Sequence, residues 1–175
     1  MSDPPFPIDP GPIGTTRDGR PIAMCAMTPQ AAAALGPAMA DIDPWARLGV
    51  EAALFTSFLA RHEAGAYRYR IVVDDMDAGI CVVRDPWLSG PYLNLLGLVP
   101  QAQRQGVGKA VLQWLEARAR TAKHRNLWLC VSSFNDNARR IYERAGYTHL
   151  ATIDSLSFDG FDEHLMRKRL HSSPA

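Results

Sequence analysis

The stretch Gln103-Arg104-Gln105-Gly106-Val107-Gly108 decides how this sequence is read. It follows the apolar run Tyr92 to Val99, a strand ended by Pro100, which can neither donate to a ladder nor extend it. It precedes Val107, Ala110, Val111, Trp114 and Leu115, the spacing of a helix with one buried face that runs to about Lys123. Two glycines therefore stand where a strand turns into a helix. The first backbone N–H groups of such a helix lack intrahelical partners and have the helix dipole behind them, a geometry that binds phosphate. Glycine lets an anion approach the main chain, and Gln103, Arg104 and Lys109 add donors and positive charge. Taken alone, the pattern is shared by ordinary tight turns.

Upstream, Ile22 to Met27 reads as a strand, and Thr28-Pro29 as an N-cap with proline at the first helical position. Gly36-Pro37 is expected to interrupt that alanine-rich helix. After the loop Asp43-Pro44-Trp45, Val50 to Glu63 places Leu54, Phe58 and Leu59 at helical spacing, with Gly65 at the C-terminus. Tyr67 to Val73 and Gly79 to Val83 are expected to pair antiparallel about a turn at Asp74 to Ala78. Downstream, Leu127 to Val131 is a compact strand. Asn135-Asp136 caps a helix in which Ala138, Ile141, Tyr142 and Ala145 share a face before Gly146. Tyr147 to Leu156 and Phe161 to Arg169 flank an Asp159-Gly160 turn as two final strands. Residues 1–21, with Pro4, Pro5, Pro7, Pro10, Pro12 and Pro21, read as a flexible tail. Residues 22–170 then form one domain and 171–175 a short tail.

Composition narrows the partners. A chain of 175 residues, 47% apolar and 21% charged, has the make-up of one globular domain. Its net charge of +1 carries no footprint for nucleic acid or a membrane surface, leaving small molecules or peptides. Cys25, Cys81 and Cys130 are few, odd in number and set in apolar runs, which suits reduced thiols and a cytoplasmic setting. There is neither a signal-peptide pattern nor an apolar run of about 18 residues, so no membrane is expected. The histidines, His62, His124, His149, His164 and His171, show no metal-ligand spacing, so no metal is expected. Asp74, Asp75 and Asp77 read as a solvated turn.

The string Pro100 to Gly108 resembles the Q/R-x-x-G-x-G/A segment of GNAT acyltransferases. A second motif agrees in order: Asn135 to Tyr147 matches that superfamily's N-x-x-A-x-x-x-Y-x-x-x-G-[FY] segment. The resemblance implies an α/β fold of the α+β kind. It is a mixed, mainly antiparallel sheet of about seven strands with helices on both faces and a splayed parallel pair. That pair is formed by Tyr92 to Val99 and Leu127 to Val131. It implies acetyl-CoA as acyl donor, its pantetheine arm lying along Leu96, Gly97 and Leu98 like an extra strand. The pyrophosphate is then held by Gln103, Arg104, Gln105, Gly106, Val107, Gly108 and Lys109, and Asn135 binds cofactor or substrate amide. A backbone N–H near Leu98 faces the developing oxyanion, and Tyr142 protonates the departing thiolate. The acceptor is a primary amine on a small molecule, peptide or protein N-terminus. A homodimer is left open.

The proton acceptor is where the match breaks down. The superfamily often carries glutamate at the positions held here by Asn94 and Cys130. Asparagine takes no proton at neutral pH, and a thiol on an apolar strand stays protonated. Asp154 and His164 are the other candidates. An acyl-CoA-binding module without catalysis is therefore the competing reading. Gln103 to Gly108, Leu127-Trp128-Leu129 and Pro44-Trp45 also resemble ribosomal-protein alanine N-acetyltransferases, but Cys130 departs from them, and substrate identity is not carried over. Pro44-Trp45 either lines an acceptor pocket or anchors its loop.

Overall fold

Thr28 caps its helix as the sequence demands: its hydroxyl accepts from the Ala31 amide at 3.1 Å, and Pro29 opens α1 (Pro29–Ala40). The computed structural model describes residues 5–170. Pro37 does not interrupt α1, contrary to expectation. Gly36 instead marks where α1 meets α2 (Ala52–Ala60), since a Cβ there would lie 2.9 Å from the Thr56 backbone. Helix α2 buries Phe55 and Leu59 and leaves Leu54 65% exposed, so its inner face is rotated by one residue from the expected one. It ends at Arg61, and Gly65 (φ +75°) serves the turn into the next strand.

β3 (Ala66–Val73) and β4 (Met76–Trp87) pair antiparallel as expected. Their turn is tighter than Asp74 to Ala78, with Asp74 and Asp75 both at positive φ, 52° and 61°. Such turns match the twist of the flanking strands, and aspartate tolerates the conformation. β5 (Gly90–Leu98), α3 (Val107–Thr121), β6 (Asn126–Ser132), α4 (Asp136–Arg144), β7 (Thr148–Phe158) and β8 (Phe161–Arg169) follow where the sequence placed them.

The sheet has eight strands, because one more strand precedes the first expected one. β1 (Gly11–Thr15) pairs antiparallel with β2 (Pro21–Ala26), and the order across the sheet is β1-β2-β3-β4-β5-β6-β8-β7. The reading of residues 1–21 as a flexible tail is thus corrected for its described part. Phe6 is fully buried, its ring 5.4 Å from Tyr67 and 5.9 Å from Trp114, and the Tyr69 hydroxyl donates to the Pro7 carbonyl at 2.8 Å. Proline suits β1 because an outer strand leaves one row of amides without a ladder partner. Residues 171–175 lie outside the described part. Helices cover both faces of the sheet: α1 and α2 pack on Ile80 and Val82, while α3 packs on Ile71, Cys81, Leu93, Leu127 and Leu129.

Candidate functional site

β5 and β6 pair in parallel only at Tyr92↔Trp128 and Leu93↔Leu129. The register of β5 on β4 runs Val83↔Leu93 and Val82↔Leu95, which leaves Asn94 as the extra residue of a β-bulge. A bulge bends its strand and re-aims the side chains beyond it. Leu93 and Leu96 accordingly pack toward α3, and Leu95 toward α1 and α2. Past the bulge β5 diverges from β6, and the facing edges enclose a cavity of about 720 Å³. Backbone groups on those edges lack ladder partners and must be satisfied by something that enters.

At one end stands the glycine segment. Gly106 is the N-cap of α3 at φ 92°, a left-handed conformation that favours glycine, and no side chain caps the helix. A Cβ on Gly108 would meet only Leu98 Cδ1, at 3.9 Å, so the protein keeps the space above this turn open. Gln103, Arg104, Gly106, Val107, Gly108 and Lys109 line the cavity together with Leu96, Gly97 and Leu98. These residues fit a phosphate-bearing ligand with an extended amide arm. Gln103 Nε2 donates to the Leu98 carbonyl at 3.0 Å, tying the loop to β5. Gln105 is not brought in: its amide donates to the Gln101 carbonyl at 2.7 Å and its oxygen accepts from Arg20. It clamps the β1–β2 hairpin, whose Arg17 amide donates to the Gln105 carbonyl at 3.0 Å and whose Arg17 side chain joins the cavity wall. Residues read as a tail therefore buttress this end.

Tyr142 lines the same cavity from α4, half-buried, with its ring edge-on to Tyr147 at 5.9 Å. Burial pushes its hydroxyl up to about 12, so it is a protonated donor throughout neutral pH. Asn135 Oδ1 accepts from the Ala138 amide at 3.1 Å while the residue also lines the cavity, so its cap role and its place at the site hold together. Trp45 is both wall and anchor. It lines the cavity, stands edge-on to Phe55 at 5.1 Å, and lies so close to Gly97 that a Cβ there would come within 2.7 Å of its ring.

The candidate proton acceptors sort cleanly. Asn94 Oδ1 accepts from Arg84 Nε at 2.8 Å, and Arg84 is held by Glu63 at 2.8 Å, so Asn94 is a fixed polar wall. Hydrogen bonds from Arg84, then Arg68, hold the Glu63 carboxyl down at about 2. Burial pushes the Cys130 thiol up, with the Tyr92 hydroxyl beside it acting in the other direction. Asp154 and His164 do not line the cavity, correcting their candidacy: Asp154 accepts from the Ser155 hydroxyl, and His164 Nδ1 lies 3.0 Å from Thr152 Oγ1. The strand holding His164 alternates, and the next residue back does face the cavity. Glu163 pairs with Ser132 on β6, shares the face of Ser132 and Cys130, and lines the cavity half-buried. Among the described residues its carboxylate has neither an ion-pair partner nor a hydrogen-bond donor.

Residues 36–147 match the model of the acetyltransferase (GNAT) family. The chain belongs to that family. It is accordingly a GNAT N-acetyltransferase, and its open, mainly antiparallel sheet is the fold that the resemblance implied. Among solved structures, RimJ of Mycobacterium smegmatis, in complex with CoA-disulfide, has a TM-score of 0.72 at 16% identity, covering 99% of this chain and 93% of that one. The Escherichia coli ribosomal-protein-S18-alanine N-acetyltransferase has a TM-score of 0.68 at 17% identity, covering 87% and 96%. Nourseothricin acetyltransferase has a TM-score of 0.56 at 25% identity, covering 62% and 67%. A search of curated proteins returns no match. The fold is thus common to GNAT acetyltransferases that act on unlike acceptors. Among the described residues no helix is long and apolar enough to cross a membrane.

Proposed function

We propose that this GNAT acetyltransferase moves the acetyl group of acetyl-CoA directly to a primary amine on a small molecule, peptide or protein N-terminus. The observation that carries the reading is the continuity of one cavity from the Gly106-Val107-Gly108 turn, along Leu96 to Leu98, to Tyr142. Its glycine turn suits pyrophosphate, its unpaired β5 edge suits the amides of pantetheine, and Tyr142 in its wall offers a hydroxyl to a leaving thiolate. Arg104 and Lys109 add charge beside the glycine turn. An amine that attacks the thioester while both are held in this cleft needs no covalent enzyme intermediate. Reduced thiols fit a cytoplasmic enzyme, Cys25, Cys81 and Cys130 being free.

The binding-only alternative drew on Asn94 and Cys130. An unpaired carboxylate in the cavity wall, Glu163, removes its motive. The test is acetyl-CoA offered with three acceptors: an alanine-initiated peptide, an N-blocked lysine peptide and a linear diamine, followed by thiol release and the mass gain of one acetyl group. Acetylation of at least one is expected. Tight acetyl-CoA binding with no product on any amine would favour the binding module.

A further inference from the structure

A carboxylate that lines a cavity and has no partner inside the protein is left free for whatever enters that cavity. Glu163 is such a group. Three features place it beside the splay of β5 and β6. Its register opposite Ser132 puts it on the same face of the sheet as Cys130. It lines the cavity with Tyr92 and Asn94 of β5 and Trp45 of the α1–α2 connection. Its charge is felt by both the Cys130 thiol and the Tyr92 hydroxyl, the two groups at the mouth of the strand splay. Neither of those can replace it, since burial pushes both upward, and Asn94 is held by Arg84. Asp43 from the α1–α2 connection and Arg140 and Tyr142 from α4 are further ionisable groups on the same cavity, and none forms an ion pair with Glu163 among the described residues.

We infer that Glu163 accepts the proton that the acceptor ammonium must lose before its nitrogen can attack the thioester. This rests on the amine-acetylation reading above. The proton balance closes. One proton passes from the ammonium to a Glu163 carboxylate oxygen, and the freed lone pair forms the N–C bond at the acetyl carbonyl. The C–S bond then breaks with its electron pair on sulfur, which takes the Tyr142 proton. The second proton lost by nitrogen makes good the tyrosine, and Glu163 releases the first to solvent. Two protons leave the ammonium: the thiol retains one and water receives the other.

The test compares wild type with Glu163→Gln, an isostere without basicity, and Glu163→Asp, which keeps the charge. The probe is the N-blocked lysine peptide, or whichever acceptor of the panel wild type acetylates, and kcat/KM is followed from pH 6 to 10. Glu163→Gln is expected to lose roughly a hundredfold or more at pH 7. Its rate then climbs about tenfold per pH unit toward the amine pKa, about 10.4 for lysine, where free amine no longer needs a base and the gap to wild type closes. Glu163→Asp is expected to keep the wild-type profile at reduced rate, and all three proteins to bind CoA alike. A Glu163→Gln enzyme with wild-type rate and profile overturns the inference, as does a loss that is the same at every pH. Wild type that acetylates none of the acceptors while binding acetyl-CoA overturns the amine reading instead.

Discussion

Replacing Gly108 by glutamate is expected to strengthen the free protein and destroy its cofactor site. Gly108 lies in the first turn of α3, and a Cβ there meets nothing nearer than Leu98 Cδ1 at 3.9 Å, so a side chain can enter the cavity without displacing protein. Glutamate exceeds glycine in helix propensity by about 0.5 kcal/mol. A negative charge near a helix N-terminus adds about 0.3–1 kcal/mol. Together these predict roughly 1 kcal/mol of stabilisation, a rise in Tm of about 2–4 °C for a chain of this size. The same carboxylate would stand in the proposed pyrophosphate site. Two unit charges about 4 Å apart at an effective dielectric of 20 repel by about 4 kcal/mol. Screening at an open cleft reduces this, and steric exclusion adds to it, so CoA affinity should fall at least about a hundredfold. Thermal unfolding of the free protein and calorimetric titration with CoA read the two effects separately. CoA affinity within threefold of wild type would refute the phosphate cradle. A Tm several degrees below wild type would refute the open space above Gly108.

Gly97→Ala places a methyl 2.7 Å from both Met39 Sδ and the Trp45 ring, and overpacking of this kind costs about 1–3 kcal/mol. It should lower Tm and raise the acceptor KM by displacing Trp45; unchanged values would mean that the wall is not rigid. Phe6→Ala should cost about 3–5 kcal/mol in denaturant unfolding, as loss of a buried ring does, whereas a residue of a loose tail would cost nothing. The Glu63 carboxyl is held at about 2, far below its unfolded value, so its stabilising effect is present above about pH 4.5 and is lost as pH falls toward 2. The stability difference between wild type and Glu63→Gln should therefore shrink across that window, and a difference constant with pH would contradict the Arg84–Glu63–Arg68 network.

Much of this was legible in the residues. The glycine turn, the helix after it, the Asn135 cap and the final hairpin follow from spacing and capping chemistry, which act locally. Features that depend on residues distant in the chain were less so. Composition could not show that Phe6 finds a pocket between Tyr67 and Trp114, because a proline-rich stretch resembles a linker until a sheet edge is there to receive it. Gly36-Pro37 resembled a helix stop because the residue that Gly36 packs against, Thr56, lies on another element. Gln105 sits inside the motif yet turns outward to Arg20, a contact across 85 positions. Glu163 is hard to read in the sequence for a related reason. The motif positions for a base lie on β5 and β6, and only the β6–β8 register reveals that a third strand delivers a carboxylate to the same face. The alternation of Phe161 to Arg169 held that signal, but it needed Ser132 opposite to be read.

The most direct test of the account is Tyr142→Phe assayed side by side with wild type for acetyl-CoA binding and for acetyl transfer to the acceptor that wild type uses. The hydroxyl is asked to supply a proton and nothing in binding. The variant should therefore bind acetyl-CoA within about threefold of wild type and lose roughly a hundredfold or more in kcat. Equal kcat in the two proteins would contradict the assignment of this cleft as one that delivers a proton to the departing thiolate.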